Sequence, residues 1–214
     1  MAYRLHCFAQ SGNAYKVALM LALTGTEWEP VFVDFFNGAT RQPDYRSQMN
    51  AFGEVPVLEA EGKRLTQSGA ILTWLAERSG RFGPANEDER HEILRWILFD
   101  NHKFTSYLAT HRFLRAFAPG KADPAVTAFL KGRVDANLKI VESHLQASPF
   151  VVGSQPTIAD LSMCGYLYYP PEETGYEWTQ SHPAIAAWLE RIRALPGWRH
   201  PHDLMPGHPL PKAA

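Results

Sequence analysis

The chain has 214 residues, 45% of them hydrophobic, with 21 Lys and Arg against 22 Asp and Glu for a formal net charge of -1. This length accommodates two small domains, each with its own hydrophobic core. The balanced charge creates no global field that would attract nucleic acid or an anionic membrane, so neither partner is expected.

The two cysteines, Cys7 and Cys164, are too few for a disulfide framework and favour a reducing compartment, here the cytoplasm. The N-terminus is too polar for a signal peptide, and no apolar run approaches the length of a membrane span. His200, His202 and His208 lie in a proline-rich stretch without a cysteine or an acidic cluster. A solvated tail is therefore predicted there rather than a metal site.

Short apolar runs alternate with helical patterns over residues 1–79, which predicts the order β-α-β-α-β-β-α. The predicted elements are a strand at Tyr3–Phe8, a helix at Asn13–Thr24, a strand in "WEPVFVDF", a short helix at Asp44–Met49, a hairpin of Val57–Glu59 and Arg64–Thr66, and a helix at Ser68–Arg78. This pattern is typical of a small α/β domain.

Residues 80–87, "GRFGPANE", have the glycine and proline content of a linker, and beyond them the strand signals stop. Helices are predicted from Asp88 to about Phe117 with a bend near Asn101, from Pro124 onward, at Thr157–Tyr169 and at Pro183–Ala194. The sequence therefore predicts an all-helical domain over residues 88–214 that ends in the proline-rich tail.

A proline stands at the head of the first hairpin strand, in "GEVPVLE". Proline has no N–H to give to a sheet ladder and is confined to strand starts, edges and bulges. A cis Val55–Pro56 bond would turn the chain and leave the N–H and C=O of Val55 facing outward, where an extended peptide could pair with them. A trans proline that ends a loop is the alternative, and trans is far commoner among X-Pro bonds.

The stretch "TQSGAIL" places Gln67, Ser68 and Gly69 at the start of a predicted helix. A helix N-terminus carries unsatisfied N–H groups and a partial positive charge, so it attracts a carboxylate. Ser68 adds a hydroxyl, and Gly69 lets a ligand approach closely. The alternative is that Ser68 is simply an N-cap, which is a common role for serine.

The stretch "FAQSGNAYKVAL" brings Ser11, Gly12 and Asn13 to the junction between the first strand and the first helix. A hydroxyl and several backbone N–H groups point to one place there, and they would stabilise an anion such as a thiolate. A free thiol has a pKa of about 8.5 and can ionise below neutrality in such a setting. The alternative is again an ordinary Ser or Asn helix cap.

Together the three sites suit a small peptide with a carboxylate and a thiol, and the whole chain resembles a cytosolic glutathione transferase. The matching residues are Ser11-Gly12-Asn13, "GEVPVLE" with the Val-Pro bond that the family keeps cis, "QSGAILTWLAE" and "GSQPTIADLSMCGYL". The resemblance covers nearly the full length and is to bacterial, serine-type members, similar to the phi, theta and nu classes. It implies an α/β thioredoxin-like N-terminal domain and an all-α C-terminal helical domain.

The resemblance also implies which residues meet the thiol and the middle of glutathione. By position, Ser11 would donate to the glutathione thiolate and Asn13 would support it. Val55, just before Pro56, would pair its backbone with the cysteinyl unit.

The two ends of glutathione are assigned by the same resemblance. Gln67 and Ser68 would hold the γ-glutamyl end, and Arg41 and Gln42 fall where the family often binds the glycyl carboxylate. Glu54 joins this binding set but stands where several classes carry Gln. A carboxylate there is repelled by an anionic ligand unless a cation lies nearby or the side chain turns to solvent.

The reaction that the resemblance implies is attack of the glutathione thiolate on a small hydrophobic electrophile, a detoxifying transferase activity with glutathione as co-substrate and no metal. The electrophile is expected between the domains, where aromatic side chains suit flat apolar ligands. The candidates are Phe104, Tyr107, His111, Phe113, Tyr168 and Tyr169. A place in the core between helices is the alternative for most of them.

Two other functions are compatible with the same fold. A glutathione-dependent peroxidase or disulfide reductase is one, although a reductase would need a reactive cysteine where this chain has Ser11. A non-catalytic dimeric binding module is the other, since a fold alone does not determine function. The resemblance implies a homodimer in either case.

Three residues are predicted to be structural. Thr157 and Asp160 have the spacing of a capping box, with Asp in place of the usual Glu or Gln, and would fix the start of a core helix. Cys7, inside the first strand, is expected to be a small buried side chain rather than a nucleophile.

Overall fold

The computed structural model describes residues 2–118, 120 and 122–209. These residues divide into two compact units, one of residues 2–81 and 195–209 and one of residues 82–194. The predicted fold class, an α/β thioredoxin-like part and an all-helical part, is confirmed. The division differs from the predicted boundaries at one place, because residues 195–209 belong with the α/β unit and not with the helical one.

The first unit has the predicted order of strands and helices. Its elements are β1 (Tyr3–Cys7), α1 (Gly12–Thr24), β2 (Trp28–Phe32), α2 (Pro43–Gln48), β3 (Val57–Ala60), β4 (Lys63–Thr66) and α3 (Ser68–Ser79), with a 3-10 turn at Ala39–Arg41. The sheet order is β2-β1-β3-β4, with β2 parallel to β1 and the other two pairs antiparallel.

Helix α1 is buried on nearly all sides, as its run of apolar residues predicts. Val17, Leu19, Met20 and Leu21 are fully buried. Burial of each such side chain contributes about 1.5–3 kcal/mol, so α1 anchors the sheet. Gly25 ends the helix at a φ of 69°, a left-handed conformation that glycine adopts without steric cost.

The second unit contains only helices and turns among its described residues. Its helices are α4 (Glu87–Phe99), α5 (Thr105–Arg112), α6 (Pro124–Ala147), α7 (Ile158–Met163), α8 (Pro171–Thr174), α9 (Trp178–Ser181) and α10 (Pro183–Arg193). Two π-helical segments, Asp100–Phe104 and Phe113–Phe117, flank α5, and the first lies at the predicted bend. The helix predicted at Thr157–Tyr169 is shorter than expected, because α7 gives way to a 3-10 turn after Met163.

The capping box at the start of α7 is confirmed. Thr157 accepts from Ala159 N, and Asp160 accepts from Thr157 N at 2.8 Å. Asp160 also accepts from Val151 N and Trp188 Nε1, each at 2.8 Å, and it is fully buried. Burial raises the pKa of Asp160, and these hydrogen bonds oppose that effect.

The C-terminal segment, residues 195–209, contacts the first unit. A last helix, α11 (Pro201–Leu204), lies against α1, and Tyr15 Oη donates to Arg199 O at 2.9 Å. The side chain of His208 is only 7% exposed. The prediction of a solvated tail is therefore wrong for this segment: Pro201 begins α11 instead of holding an extended chain, and the segment belongs to the first unit. None of the described helices is long and apolar enough to cross a membrane.

Candidate functional site

The segments predicted to bind glutathione all leave the sheet at the same end of its strands. β1 ends at Cys7 beside Phe32, the last residue of the parallel strand β2. β3 begins at Val57, which lies opposite His6, and β4 ends at Thr66, which lies opposite Val57. The junctions after β1, after β2, before β3 and after β4 therefore lie at the same end of the sheet, and every predicted glutathione-binding residue lies in one of them.

Ser11 is the N-cap of α1. Its Oγ accepts from Ala14 N at 3.2 Å, and the residue is 5% exposed. A hydroxyl that accepts one hydrogen bond can still donate its own proton to an anion. The cap reading and the thiolate reading of Ser11 are therefore compatible, and the N–H groups of the first turn add partial positive charge beside the hydroxyl.

Asn13 follows in the first turn of α1. Its Oδ1 is buried and has no hydrogen-bond partner within residues 2–118, 120 and 122–209. Buried polar groups are nearly always paired in native proteins, so an unpaired one calls for a specific explanation. A ligand that donates to this oxygen would supply the missing partner.

The peptide bond between Val55 and Pro56 is cis. The sheet ladder of β3 begins at Val57, so the backbone of Val55 lies outside it. A backbone edge of this kind can pair with an extended peptide.

Two side chains that the sequence analysis missed hold the segment before Val55. Asn50 Nδ2 and Tyr45 Oη both donate to Glu54 O at 2.9 Å. Burial raises the pKa of Tyr45 to about 12, so its hydroxyl keeps the proton that it donates. The available signal was the turn pattern Asn-Ala-Phe-Gly, in which Gly53 adopts a φ of 69° and leaves no room for a Cβ beside Thr40 O.

Gln67 has an unusual backbone conformation at the start of α3, with φ 67° and ψ 110°. A non-glycine residue in this region is strained, and such strain is frequent at functional sites. Ser68 is the first residue of the helix and is 5% exposed. The N–H groups of this first turn precede the first hydrogen bond of the helix, from Ile71 N to Gln67 O, and are available to an anion.

Glu54 lies beside this helix start. Gln67 Nε2 donates to Glu54 Oε2 at 3.0 Å, and Glu54 is exposed. The carboxylate is thus turned to solvent and bound by a neutral amide, which is one of the two conditions under which it would tolerate an anionic ligand.

Arg41 and Gln42 lie in the loop after β2. Both side chains are exposed, and Gln42 is the N-cap of α2. The loop packs against the junctions at this end of the sheet through an apolar cluster. Phe8, Val33 and Val55 form the cluster, and Phe35, Phe36, Ala39 and Tyr45 pack against it. The guanidinium group of Arg41 is accessible to a carboxylate.

Cys7 is fully buried in β1, as predicted. Burial raises the pKa of its thiol to about 12, which a hydrogen bond from the backbone of Val31 opposes only in part. The thiol therefore stays protonated and is no nucleophile near neutral pH.

The residues predicted to contact an electrophile fall into two groups within the helical unit. Phe104, Tyr168 and Tyr169 are 2%, 7% and 2% exposed, which fits the core alternative. Tyr107 is half-buried and Phe113 is exposed. His111 is buried, and this burial, with the nearby charges of Arg115 and Lys131, lowers its pKa, so the ring is neutral at neutral pH.

A surface cavity of about 520 Å³ lies at the other end of the sheet. It is lined by side chains of the hairpin and of β1, among them Arg4, Glu59, Lys63 and Arg64. Because the cavity lies by the start of β1, it is separate from the end of the sheet where Ser11 lies. In the part of the chain that the structure describes, no three His, Cys, Asp or Glu side chains are placed to share a metal ion.

Two family models match the chain. Residues 1–77 match the glutathione S-transferase N-terminal domain, and residues 103–196 match the glutathione S-transferase C-terminal domain. Among curated proteins, glutathione S-transferase F14 of Arabidopsis thaliana is 29% identical over 97% of this chain and 88% of its own length. A maleylacetoacetate isomerase of Rhizobium meliloti is 30% identical over 77% of this chain and 79% of its own length.

Solved structures give the same result. A glutathione S-transferase from Xanthobacter autotrophicus Py2 is 33% identical, has a TM-score of 0.84, and is covered over 94% of this chain and 98% of that one. A glutathione transferase from Burkholderia graminis, solved with two glutathione molecules bound per subunit, has a TM-score of 0.79 over 92% of this chain and 85% of that one. At 24% identity the second likeness establishes only the shared fold.

Proposed function

The chain belongs to the glutathione S-transferase family, and we propose that it binds glutathione and activates its thiol for attack on a small hydrophobic electrophile. One observation carries the proposal. The register of the sheet brings three features to the same end of the strands: the start of α1 with the hydroxyl of Ser11, the backbone of Val55 outside the ladder, and the start of α3 at Ser68. These three features match the thiol, the peptide unit and a carboxylate of glutathione.

In this proposal the protein holds the nucleophile and does not supply it. Ser11 Oγ donates to the thiolate, and the partial charge of the α1 start favours the ionised form. Asn13 Oδ1 accepts from the bound peptide. The thiolate sulfur then forms a bond to the electrophilic carbon, and the leaving group departs with its electron pair. The thiol proton has gone to solvent before this step.

The ends of glutathione are bound by the other junctions. Val55 pairs its backbone with the cysteinyl unit, while Ser68 and the N–H groups of the α3 start bind the γ-glutamyl carboxylate. Arg41 pairs with the glycyl carboxylate, for which a guanidinium group is well suited.

Replacement of Ser11 by Ala tests the proposal. We expect turnover to fall by about 10²-fold, the usual effect of removing one donor to a developing or stabilised anion. Glutathione should still bind, with a raised pKa of its thiol. Ser11→Thr keeps a hydroxyl at the N-cap and is the matched control.

The measurement is the ultraviolet absorbance of the bound thiolate as a function of pH, with turnover of an aryl halide. An unchanged pKa of the bound thiol in Ser11→Ala would remove Ser11 from this role. Wild-type protein that binds no glutathione in calorimetry would overturn the proposed function as a whole.

We propose that the electrophile is apolar and contacts the accessible members of the predicted set, Tyr107 and Phe113. Tyr107 lies edge-on to Phe129 at 6.4 Å between ring centroids, and Phe129 is 55% exposed, so an aromatic surface continues beside it. A panel of aryl halides, epoxides, isothiocyanates and peroxides would identify the class of substrate.

A homodimer in the cytoplasm is part of the proposal. Leu94 and Leu98 lie one turn apart on α4 and are 52% and 60% exposed, which supports a protein contact on this face. Cys7 and Cys164 are both buried and neither forms a disulfide, as suits a reducing compartment. Light scattering of the wild type and of Leu98→Asp would report the dimer and its loss.

A further inference from the structure

The four residues that join β1 to α1 form a tight turn, Phe8–Ser11, closed by a 3.0 Å hydrogen bond from Ser11 N to Phe8 O. Ser11 leaves this turn as the N-cap of α1, so the position of its hydroxyl depends on the conformation of the turn. The two central residues, Ala9 and Gln10, are 0% and 3% exposed. The C-terminal segment contacts both of them.

Among the described residues, hydrogen bonds at Ala9 and Gln10 join the C-terminal segment to this turn. Ala9 N donates to Pro206 O at 2.8 Å. Gln10 Nε2 donates to His208 O at 2.7 Å, and Gln10 Oε1 accepts from His208 N at 3.1 Å. The side-chain amide of Gln10 therefore pairs with both main-chain groups of one residue, as facing peptide units do in an antiparallel sheet.

Gly207 lies between the two paired positions and is in close contact with the turn. A Cβ at this position would lie 2.9 Å from Ala9 Cβ and 3.1 Å from Gln10 Oε1. Ala9 Cβ is fixed to the backbone and cannot move aside. The segment thus fits against the turn only with no side chain at residue 207.

The ring of His208 extends the contact to neighbouring segments. It stacks on Phe36 with 4.4 Å between ring centroids and meets Phe8 edge-on at 5.6 Å. Phe36 N donates to His208 Nε2 at 3.4 Å, so in the neutral ring the proton is on Nδ1, which faces Asp34 Oδ1 at 3.5 Å. His208 thereby joins the first residue of the turn to the loop after β2.

From these contacts we infer that the C-terminal segment is a positioning element for the thiolate site, acting on Ser11 through Gln10, Gly207 and His208. The inference rests on the proposed function. The segment forms hydrogen bonds with Ala9 N and with the side-chain amide of Gln10. These bonds hold the conformation of the turn and so determine where the hydroxyl of Ser11 points. In the described part of the chain the segment makes no such hydrogen bond to Val55 or Ser68, so it affects ionisation of the bound thiol more than the binding of glutathione.

Two substitutions disturb the contact from opposite sides. Gly207→Ala inserts a methyl group against Ala9 and pushes the segment away, and Gln10→Ala removes both hydrogen bonds to the His208 backbone. The matched control is Tyr15→Phe, which removes the bond from Tyr15 Oη to Arg199 O at the far end of the same segment. A chain that ends after Met205 is the second test should Gly207→Ala fail to fold.

The experiment follows the thiolate absorbance of bound glutathione against pH, with kcat and KM, in the full-length variants. We expect Gly207→Ala and Gln10→Ala to raise the pKa of the bound thiol by about half a unit or more, which lowers the ratio of thiolate to thiol at a given pH by roughly threefold. The kcat at neutral pH should fall together with the thiolate fraction. The KM for glutathione should stay within about twofold of wild type. Tyr15→Phe should lower thermal stability and leave the thiolate fraction unchanged.

Two results would overturn the inference alone. In the first, wild-type protein holds the thiolate and the folded Gly207→Ala and Gln10→Ala variants, or the shortened chain, hold it equally well. In the second, Tyr15→Phe lowers the thiolate fraction as much as the other two, which would show a general loss of stability. Wild-type protein without bound glutathione would instead overturn the proposed function, and the inference with it.

Discussion

The two units contain helix starts with the same kind of cap and opposite surroundings. Ser11 accepts from Ala14 N, and the first turn of α1 has no acidic residue. Thr157 accepts from Ala159 N, and Asp160 in the first turn of α7 accepts from Thr157 N. The first start leaves a proton and N–H groups for a ligand, whereas the second is completed by the chain itself. A hydroxyl cap therefore marks a candidate site only where the first turn lacks its own anion.

The largest expected effect is a loss of stability at the start of α7, which the chain caps with its own carboxylate. Asp160→Ala leaves Val151 N, Thr157 N and Trp188 Nε1 buried without their acceptor, so we expect the free energy of unfolding to fall by about 3–5 kcal/mol. Denaturant unfolding measures this loss, and turnover per folded molecule should not change. Asp160→Asn, which keeps the size and one acceptor oxygen, should lose less. A loss below about 1 kcal/mol for the alanine variant would show that α7 does not depend on its box.

The next effect is a gain in stability at the start of α3, where the N–H groups of the first turn are left for a ligand. Gln67→Gly relieves a strained backbone, so we expect the free energy of unfolding to rise by about 1 kcal/mol while glutathione binds more weakly. Gln67→Ala removes the same side chain but keeps the strain, and it should give no such gain. Unfolding and calorimetric titration of both variants measure the difference. Equal stability of the two would contradict the assignment of strain to this position.

Two asparagines sharpen the comparison further. Asn13→Ala removes a buried acceptor that has no partner in the described part of the chain, so stability should stay within about 0.5 kcal/mol while turnover falls. Asn137 is buried and donates to Lys103 O at 3.2 Å, so Asn137→Ala should cost about 1–2 kcal/mol and leave turnover per folded molecule unchanged. Unfolding and steady-state kinetics give both quantities. The reverse pattern would place the ligand-facing amide in the helical unit.

The smallest expected effect concerns Cys7, whose thiol should not react in the native protein. Because burial raises the pKa of the Cys7 thiol to about 12, a disulfide reagent at pH near 8 should label Cys7 only after denaturant is added. Cys7→Ala should retain the transferase activity. Rapid labelling of Cys7 in the native protein would reopen the reductase alternative.

Sequence reasoning succeeded where the determining interactions are local. The capping box of Thr157 and Asp160 spans four residues, and the helix predicted from Pro124 follows from apolar residues spaced by three or four. The order of elements in the first unit follows from runs of similar length. The predicted glutathione-binding residues lie in junctions at the same end of the sheet, whereas the predicted electrophile-binding residues lie in the helical unit, and the roles of both sets stay predictions.

What the sequence could not predict depends on distant contacts or on small changes of helix geometry. Gln10 and His208 are 198 residues apart, and no local pattern links them. The proline-rich composition predicts an extended, solvated chain, but Pro201 begins α11 and the contacts that cover the segment come from residues far away in the sequence. The π-helical segments on either side of α5, with the sequences DNHKF and FLRAF, contain no residue type that distinguishes them from ordinary helix, so no local pattern predicts them.

The place of the C-terminal segment has a consequence for how the chain matures. The α/β unit is discontinuous: residues 2–81 come first along the chain, but residues 195–209 complete it after the helical unit. On the ribosome, which releases the chain from its amino end, the surface around Ala9 and Phe36 stays bare until the helical unit has been translated. The part of the protein that emerges first is thus the part that is finished last.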